Sequence, residues 1–456
     1  MSRLQISYLK LADHRNGKRL WIQGLRLDEA GYAIGCLYSM DVDDRNARIH
    51  LTVSHEGTHR VSRKKVGERY YPLIDLVNRQ LAELFTDVDR VQVIIEEGRI
   101  TIEYHRFDRM RIEREARLAD TLRSGRPIPM ASLAHGAGIL DYYVHKGLED
   151  EQIRSGLIWA VEPENTYLQT SWNNNPIWSY ECELIEGRIE DIDASQLKAP
   201  LIVCAGLPCT GASLSGRAKN GLKFAEQHET AGTAFIGFLM MIRQLSPAIC
   251  ILENVPQYSA TVSMHMIRQT LAEWRYRVHE IILDRELGAF EDRKRLCMVA
   301  VSEGIDFEFD LKPVRPREQT LGEILDDVPP DSGLWRTCSY LDDKQKRDMA
   351  AGKGFAMQLV DEQSTRIGTV GRSYAKWRST EPLVANHSED PSLRRLLTVD
   401  ELARAKTIDP TLVAGMSRTT QIEMMGQSVL GVAFQAVGRN IAQCLKHQYL
   451  VQEVAA

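Results

Sequence analysis

A cysteine lies in a loop that directly follows a short apolar segment of the sequence. Residues 201–204 have the composition of a buried strand, and the chain then continues through Pro208 to Cys209 and Gly211. Ligands bind beyond the carboxyl ends of strands in open α/β sheets, so a thiol at this position would face a ligand site. A thiolate is a strong nucleophile, and the flanking proline and glycine favour its presentation in a rigid loop. The alternative for any single cysteine is an inert, buried thiol.

Two charged motifs also lie at the ends of apolar segments. Glu253 follows the apolar residues 249–252, and Arg293 and Arg295 come just before the apolar residues 296–301. A carboxylate and guanidinium groups beside a thiol can move a proton and stabilise charge that develops during a reaction. Taken one at a time, the carboxylate could cap a helix and the arginines could belong to an ordinary solvated charge run.

The elements that would position these residues follow an α/β pattern. Strand-like apolar runs alternate with helical stretches, and this alternation predicts a parallel sheet with helices on both faces. The pattern stops at residues 303–392, which are polar and rich in Pro, Asp, Lys and Arg, and helical periodicity returns at 398–406 and 422–446. The predicted strands are residues 128–134, 157–161, 201–204, 249–252, 278–283 and 296–301.

Residues 1–113 have a different pattern, which predicts a β-rich domain. Residues 47–53 alternate as a strand does, and residues 90–95 and 99–104 alternate on either side of a Glu-Glu-Gly turn, which indicates a β-hairpin. Residues 74–85 have apolar side chains at helical spacing. The arrangement is similar to the small swapped-hairpin DNA-binding modules of the AbrB-like class. A β-rich accessory or dimerisation domain is the alternative.

Composition indicates a globular chain in a reducing compartment. The 456 residues are 43% hydrophobic and 26% charged, which excludes a disordered or collagen-like protein. No apolar run is long enough to span a bilayer and the first residues lack the apolar core of a signal peptide, so we expect a cytoplasmic protein without a membrane partner. The eight cysteines show no Cys-x-x-Cys pair and no zinc-like spacing with histidine, so no metal site is predicted. Because the net charge is −5, any DNA-binding surface must concentrate positive charge locally.

The order of the short motifs resembles that of the C5-cytosine DNA methyltransferases. That family has a Pro-Cys loop, a Glu-Asn-Val loop and an Arg-x-Arg turn in this order, and here they are Pro208-Cys209, Glu253-Asn254-Val255 and Arg293-Lys294-Arg295. The resemblance extends over about residues 128–446. It implies a Rossmann-like S-adenosylmethionine-dependent methyltransferase sheet with a smaller target-recognition domain. Further matches are Gly136-Ala137-Gly138, Glu162, Arg395, Leu397-Thr398, Glu401, Ala403-Arg404 and Gly426-Gln427-Ser428-Val429.

The resemblance implies a reaction at C5 of a cytosine that is flipped out of duplex DNA. Cys209 would add to C6 as a thiolate, activated by a positive and partly desolvated site, and would make C5 nucleophilic. Glu253 would stabilise charge at N3 and hold the exocyclic amine, and Arg293 or Arg295 would supply fixed positive charge. C5 would then take an alkyl group from a sulfonium cofactor, and loss of the C5 proton and of the cysteine would complete the reaction.

The resemblance also implies a cofactor site at the same edge of the sheet. The expected cofactor is S-adenosyl-L-methionine, bound by a glycine loop, by a carboxylate that holds the ribose and by the last motif of the chain. The residues assigned to this site are Ala134, His135, Gly136, Ala137, Gly138, Glu162, Pro163, Arg188, Ile189, Pro208, Gln427, Ser428 and Val429.

Several cofactor positions depart from the family pattern, whereas Cys209 and Glu253 do not. The family usually has an aromatic residue at Ala134, an aspartate at Arg188 and an asparagine at Gln427. Such changes could adapt the pocket to a modified donor such as carboxy-S-adenosyl-L-methionine, whose added carboxylate would need a cation or a hydrogen-bond donor. A third hypothesis is a non-catalytic DNA-binding regulator on a methyltransferase fold. Other departures are Ile139, Thr210, Ala212 and Glu291.

These observations predict three domains. Residues 1–113 form the accessory domain, residues 126–304 together with 424–456 form the catalytic domain, and residues 305–423 form the target-recognition domain. The predicted partner is double-stranded DNA. The sequence gives neither the target site nor the oligomeric state, and a dimer through the accessory domain stays open. The cations expected to face DNA are Lys344, Lys346, Arg347, Lys353, Arg366, Arg372, Lys376 and Arg378.

Overall fold

The computed structural model divides the chain into two compact units, Met1–Glu113 and Arg114–Ala456. Each unit has its own hydrophobic core. Within the described ranges, every helix is too short or too polar to cross a membrane. The residues that the structure describes are 4–86, 88–209, 226, 232–313, 319–386, 390 and 392–451.

The first unit is β-rich and contains two antiparallel sheets around one core. Its strands are β1 (Gln5–Lys10), β2 (Ala12–His14), β3 (Gly17–Gln23), β4 (Leu37–Asp43), β5 (Arg48–Val53), β6 (His59–Arg60), β7 (Ser62–Val66), β8 (Arg69–Asn78), β9 (Arg90–Glu96) and β10 (Arg99–Tyr104). Its helices are α1 (Leu25–Glu29) and α2 (Arg79–Leu84). One sheet has the strand order β1-β9-β10-β5-β4-β6 and the other has the order β2-β3-β8-β7.

The predicted hairpin is confirmed, but the helix predicted for residues 74–85 is wrong in its first half. Strands β9 and β10 pair directly, with Glu96 opposite Arg99. Residues 74–78 continue strand β8, because Ile74 and Leu76 alternate in burial with a period of two. Helix α2 begins only after Asn78, whose side chain accepts a hydrogen bond from the Leu81 amide at 2.8 Å.

The second unit contains a seven-stranded sheet covered by helices. Its strands are β11 (Ile128–Leu133), β12 (Ser155–Glu162), β13 (Trp178–Glu186), β14 (Ile202–Gly206), β15 (Ile249–Asn254), β16 (Tyr276–Leu283) and β17 (Arg295–Ser302). The helices near it are α3 (Arg106–Arg123), which crosses the boundary between the units, α4 (Ile139–Asp150), α5 (Asn165–Asn174), α6 (Ala234–Leu245) and α7 (Val262–Glu273). The strand order is β13-β12-β11-β14-β15-β17-β16. Both faces are buried, since Ile202 and Cys204 lie in one apolar layer and Val203 and Ala205 lie in the other.

The parallel pairing predicted from the alternation of strands and helices does not extend to strand β17. This strand runs antiparallel to both of its neighbours, with Leu296 opposite Asn254 and Arg295 opposite Leu283. The connection from β16 contains only the short 3-10 helix Arg285–Leu287, and a connection without a crossover helix favours antiparallel pairing. The reversal places the start of β17 at the same edge of the sheet as the end of β15.

A small sheet lies within residues 305–423, the segment that the sequence predicts to be the recognition region, and helices lie within and after this segment. Its strands are β18 (Arg336–Thr337), β19 (Gln358–Val360), β20 (Pro382–Ala385) and β21 (Leu393–Arg395), in the order β18-β21-β20-β19. The helices are α8 (Ser339–Ala350), α9 (Val399–Lys406), α10 (Arg418–Gln427) and α11 (Gly431–Tyr449). The predicted helix at 398–406 is confirmed as α9, which begins with a capping box between Thr398 and Glu401. The helical pattern predicted for 422–446 is confirmed but belongs to two helices, because α10 ends at Gln427 and α11 begins at Gly431.

Helix α11 packs closely against helix α4. A Cβ atom added to Gly438 would lie 2.2 Å from the Val144 carbonyl oxygen, and one added to Gly147 would lie 2.1 Å from the Gln435 carbonyl oxygen. Only glycine fits at either position, so the two helices meet backbone to backbone. The last helix thereby covers the helix that follows the glycine loop.

Candidate active site

The Pro-Cys loop and the Glu-Asn-Val loop are joined at the edge of the sheet where β14 and β15 end. Asn254 is fully buried, and its side-chain amide donates to the Leu207 carbonyl oxygen at 3.1 Å. Its side-chain oxygen accepts a bond from the Val255 amide at 2.8 Å. These bonds hold the cysteine loop beside the glutamate loop. The structure describes the cysteine loop only as far as Cys209, so Thr210, Gly211, Ala212 and Ser213 lie outside the described residues.

Glu253 and Arg295 form an ion pair at this edge. The Arg295 Nε atom lies 2.6 Å from the Glu253 Oε1 atom, and only 13–14% of each side chain is exposed. Strand β15 delivers the glutamate at its carboxyl end, and the antiparallel β17 delivers the arginine at its amino end. Because little solvent screens this ion pair, its two charges interact strongly and in a fixed orientation.

The surroundings of the Cys209 thiol disfavour its ionisation. Burial raises the pKa of Cys209, and the negative charge of Glu253 raises it further. Arg295 and Arg293 act in the opposite direction but do not compensate. Positive charge from these two arginines thus favours the thiolate, as predicted, while burial and Glu253 disfavour it.

The two arginines of the turn have different surroundings. Arg293 is buried, and its Nη1 and Nη2 atoms donate to the carbonyl oxygens of Val370 and Gly426, each at 3.1 Å. Burial and the neighbouring Arg295 lower the pKa of Arg293 to about 10. Arg293 thus links the turn to the recognition region and to helix α10, whereas Arg295 is the arginine in contact with Glu253.

A buried charge cluster of Glu291, Arg293 and Lys406 lies behind the turn. The Lys406 ammonium contacts the Glu291 carboxylate, and both side chains are completely buried. The other Glu291 oxygen accepts a hydrogen bond from the Val370 amide at 2.8 Å and lies 3.5 Å from Arg293. Burial opposes ionisation of Glu291, yet Lys406 and Arg293 hold its pKa below the ordinary value. Burial and Arg293 lower the pKa of Lys406 to about 7.

Sequence reasoning missed Lys406, although Glu291 was a signal that could have found it. A glutamate where the family has a neutral glutamine requires a cation when the position is buried. Lys406 ends helix α9, so the cluster couples this helix to the arginine turn.

Replacing Lys406 with methionine should therefore destabilise the second unit strongly. The change leaves the Glu291 carboxylate buried with incomplete compensation, and we expect the free energy of unfolding to fall by about 3–5 kcal/mol. The double variant Lys406→Met with Glu291→Gln should recover most of this loss, because it removes both charges. Urea unfolding of the second unit measures both values. The exposed Lys346→Met is the matched control and should change stability by less than about 0.5 kcal/mol. Equal losses in the single and double variants would contradict the coupling.

A cavity of about 470 Å³ lies next to the Glu253–Arg295 pair. It lies between the loop after β15, the arginine turn and the recognition region. The residues that line it are Val255, Pro256, Gln257, Asp292, Lys294, Arg295 and Thr369.

The glycine loop lies at the carboxyl end of β11 and contacts Glu162 at the end of β12. The Gly136 amide donates to Glu162 Oε2 at 2.7 Å, and the Glu164 amide donates to Glu162 Oε1 at 3.0 Å. Burial raises the pKa of Glu162, while these two amides oppose the shift. Gly136 has a φ of +59°, and a Cβ atom added there would meet no atom within 4 Å. The loop therefore borders open space beside a buried carboxylate.

The His135 side chain points into the protein core. Its Nδ1 atom lies 2.9 Å from Asp141 Oδ2, and its Nε2 atom lies 2.7 Å from Ser171 Oγ. The ring is fully buried between helices α4 and α5. An added Cβ atom at Gly138 would lie 2.6 Å from this ring, which explains the glycine there. His135 fixes the shape of the loop, and its ring is already engaged with protein groups.

The remaining assigned residues are spread around the same edge. The Arg188 Nη2 atom lies 2.8 Å from Glu190 Oε1, and the Gln427 side-chain amide donates to the Tyr167 hydroxyl at 3.1 Å. The Ser428 hydroxyl donates to the Met425 carbonyl oxygen at 2.7 Å. Ala134 has a φ of +52° at the start of the loop. Ala137, Ile189 and Val429 are buried, whereas Pro163 and Pro208 are exposed.

The fold is that of the Rossmann-like S-adenosylmethionine-dependent methyltransferases. Two solved structures show the same fold. The Dnmt2 methyltransferase of S. pombe superposes with a TM-score of 0.54 at 14% identity, over 70% of this chain and 99% of that chain. The Entamoeba histolytica methyltransferase EhMeth superposes with a TM-score of 0.53 at 17% identity, over 71% of this chain and 98% of that one.

Within this class, the chain belongs to the C-5 cytosine-specific DNA methylase family, whose model matches residues 129–443. The type II methyltransferase M.MspI of Moraxella sp is 27% identical over 266 residues, which are 57% of this chain and 60% of that protein. The type II methyltransferase M.NlaX of Neisseria lactamica is 25% identical over 307 residues, which are 64% of this chain and 93% of that protein. The family and the class of transferase predicted from the sequence are confirmed.

Proposed function

We propose that this chain transfers a methyl group from S-adenosyl-L-methionine to C5 of cytosine in double-stranded DNA. The observation that carries the proposal is the Glu253–Arg295 pair held beside Cys209 at one edge of the sheet. These groups are a nucleophile, an acid and a fixed cation, which are the parts that the addition of a thiolate to a pyrimidine ring requires. Family membership supports the same reaction.

In this proposal, Cys209 forms a bond to C6 of the target base. Burial and Glu253 raise the pKa of the thiol, and in this proposal its proton passes to the Glu253 carboxylate as the base enters the site. Glu253 is oriented by Arg295 and, once protonated, donates a hydrogen bond to N3, where negative charge develops. After transfer, C5 loses its proton and the bond between Cys209 and C6 breaks, which frees the thiol.

The cavity beside Arg295 supports the requirement for a flipped base. A cytosine stacked in a duplex is out of reach of the thiol, so the base must leave the helix. The cavity lies between the catalytic loops and Thr369 of the recognition region, and it is large enough to admit a single base. Arg293 and Lys406 hold this part of the recognition region in place.

The glycine loop and Glu162 fit the proposed cofactor. The open space at Gly136 lies beside a carboxylate, and a carboxylate can accept hydrogen bonds from the two hydroxyls of a ribose. Gln427, from the C-terminal part of the chain, lies at the same edge and donates a hydrogen bond to Tyr167. When bound, the sulfonium donor supplies an electrophilic methyl group.

A modified, carboxylated donor is the alternative, but the contacts of Arg188 favour the ordinary one. Arg188 was the cation that a second carboxylate would use. Its guanidinium instead pairs with Glu190, which also accepts a hydrogen bond from the Thr233 hydroxyl at 2.7 Å. The charge of Arg188 is thus compensated inside the protein.

The recognition region supplies several of the expected cations. Lys346 and Arg347 are exposed on helix α8, whereas Arg366 pairs with Asp292 at 3.2 Å and Arg372 lies 3.9 Å from Glu423. We propose that the exposed ones contact DNA phosphates. All eight cysteines are free thiols, which agrees with a proposed site of action in the reducing cytoplasm.

Mass analysis of nucleosides tests the proposal against both alternatives. The purified protein is incubated with duplex DNA of mixed sequence and with S-adenosyl-L-methionine, its carboxy analogue, or both. We expect 5-methylcytosine from the first donor and from the mixture. Formation of 5-carboxymethylcytosine as the main product in the mixture would establish the modified donor. Absence of any modified cytosine with every donor would favour a non-catalytic DNA-binding regulator.

A further inference from the structure

A strongly basic hairpin projects from the first unit. Strand β7 and the first residues of β8 form a two-stranded ribbon around the turn at Gly67 and Glu68, and we call residues 62–71 the basic arm. Residues 65–70 are all exposed, including Tyr70 at 50%. Both faces of the ribbon tip are thus open to solvent.

The charge of the basic arm is opposite in sign to that of the chain. Arg63, Lys64, Lys65 and Arg69 are opposed by Glu68 alone, so four cations and one anion give the arm a net charge of +3. The whole chain has a net charge of −5. Among the described residues, no acidic side chain forms an ion pair with any of these four cations. This positive charge is therefore available to an outside partner.

The cations lie on both faces of the ribbon. The pairing register places Lys64 opposite Tyr71 and Lys65 opposite Tyr70, so neighbouring lysines point to opposite faces. Arg63 and Tyr70 lie on the same face as Lys65, and the Arg63 guanidinium is 4.9 Å from the centre of the Tyr70 ring. Arg69 lies opposite Val66, on the same face as Lys64. A partner that contacts the arm must be negatively charged along two sides.

Lys64 marks the root of the basic arm, the end that contacts strand β3. The Trp21 ring lies between two cations, with Arg19 at 4.6 Å and Lys64 at 5.0 Å from the ring centre. The indole N–H donates to Asp75 at 2.8 Å, and Asp75 also pairs with Arg19 at 2.7 Å. Lys64 donates to the Gln23 side chain at 2.8 Å. A fixed root reduces the entropy lost when the arm binds a partner.

We propose that the basic arm binds the sugar-phosphate backbone of duplex DNA without regard to sequence. A groove of DNA admits a two-stranded β-ribbon, and a ribbon that enters with its tip first has one sugar-phosphate backbone beside each of its faces. The arrangement of cations on the arm matches these two lines. The arm would give the enzyme a second hold on DNA, in addition to contacts at the target base.

The salt dependence of DNA binding tests this proposal. The full-length variant Arg63→Ser, Lys65→Ser, Arg69→Ser keeps Lys64 at the root. Binding to a 30-base-pair duplex of mixed sequence is followed by fluorescence anisotropy at several salt concentrations between 50 and 200 mM. We expect the slope of the logarithm of the association constant against the logarithm of the salt concentration to become shallower by about 2–3. The Kd at low salt should rise on the order of tenfold or more. The turnover number for methyl transfer at saturating DNA should not change.

Matched variants separate local contact from overall charge. Arg45→Ser, Arg90→Ser, Arg99→Ser removes three exposed cations elsewhere in the first unit and should change Kd by less than about threefold. Glu68→Lys adds a cation at the tip of the arm and should steepen the slope by about one. This gain cannot result from misfolding.

Two results would overturn the proposal. One is equal binding by the arm variant and the control variant. The other is competition by polyglutamate as strong as that by duplex DNA, which would indicate an acidic protein as the partner. If the protein transfers no methyl group but the arm variant still loses DNA binding, the proposed reaction fails and the arm remains a DNA-binding element.

Discussion

Replacing Cys209 with alanine should reduce methyl transfer by a factor on the order of 10⁴ or more. The proposed reaction depends on a covalent bond from this sulfur to C6, and in the described part of the chain no second cysteine lies in this loop. The loop itself should keep its shape, because Asn254 anchors it through the Leu207 backbone and not through the cysteine. Binding of DNA and of the cofactor should therefore change little. Rates of methyl transfer to duplex DNA measure the loss.

A covalent trap identifies the sulfur directly. Duplex DNA with 5-fluorocytosine at the target should form an adduct that resists denaturing electrophoresis with the wild type and none with Cys209→Ala. Cys182→Ala, on the edge strand β13, is the matched control and should keep both the activity and the adduct. A Cys209→Ala variant that modified DNA at the wild-type rate would refute the assignment.

Replacing Glu253 with glutamine should slow methyl transfer and speed the alkylation of Cys209. The amide cannot stabilise charge at N3 as an acid does, so kcat should fall about 10²- to 10⁴-fold. The negative charge of Glu253 is one cause of the raised pKa of Cys209. Its removal lowers that pKa and increases the thiolate fraction between pH 7 and 8, so iodoacetamide should react faster with the free protein.

These opposite changes distinguish chemistry from damage to the fold. A distorted site would slow methyl transfer without a consistent effect on the thiolate, whereas the electrostatic argument requires both changes together. As a control, Glu280→Gln on strand β16 breaks a comparable ion pair with Arg268 of helix α7. This variant should leave the rates of methyl transfer and of Cys209 alkylation unchanged. A fall in kcat of less than twofold in Glu253→Gln would make the carboxylate structural, and the mechanism would need another acid.

Iodoacetamide alkylation of the wild type should accelerate as the pH rises above 7.

The proposed catalytic residues were predictable because each lies at or next to the end of a buried strand. Cys209 follows strand β14, Glu253 is the second-last residue of β15 and Arg295 is the first residue of β17, so the local pattern alone places all three at strand ends. The direction of β17 was not predictable from alternation of elements. The direction of β17 depends on the short connection from β16. The antiparallel direction brings Arg295 to the edge of the sheet where Glu253 lies.

Contacts between distant parts of the chain explain what the sequence did not reveal. Lys406 and Glu291 are 115 positions apart, and Lys406 has the ordinary appearance of a cation in the last turn of a helix. His135 looks like a pocket residue beside a glycine loop, but Asp141 and Ser171 engage its ring in the core. Burial and long-range pairing decide both cases, and neither is contained in local spacing.

The close contact of α4 and α11 has a consequence for synthesis of the protein. Val144 on α4 and Gly438 on α11 are 294 positions apart, and at about 5–20 residues per second the ribosome needs about 15–60 s to cover this interval. During that time the apolar face of α4 has no cover, although the glycine loop that precedes it has already been made. A nascent chain in this state is a substrate for chaperones, and pairing over such a distance makes refolding slow.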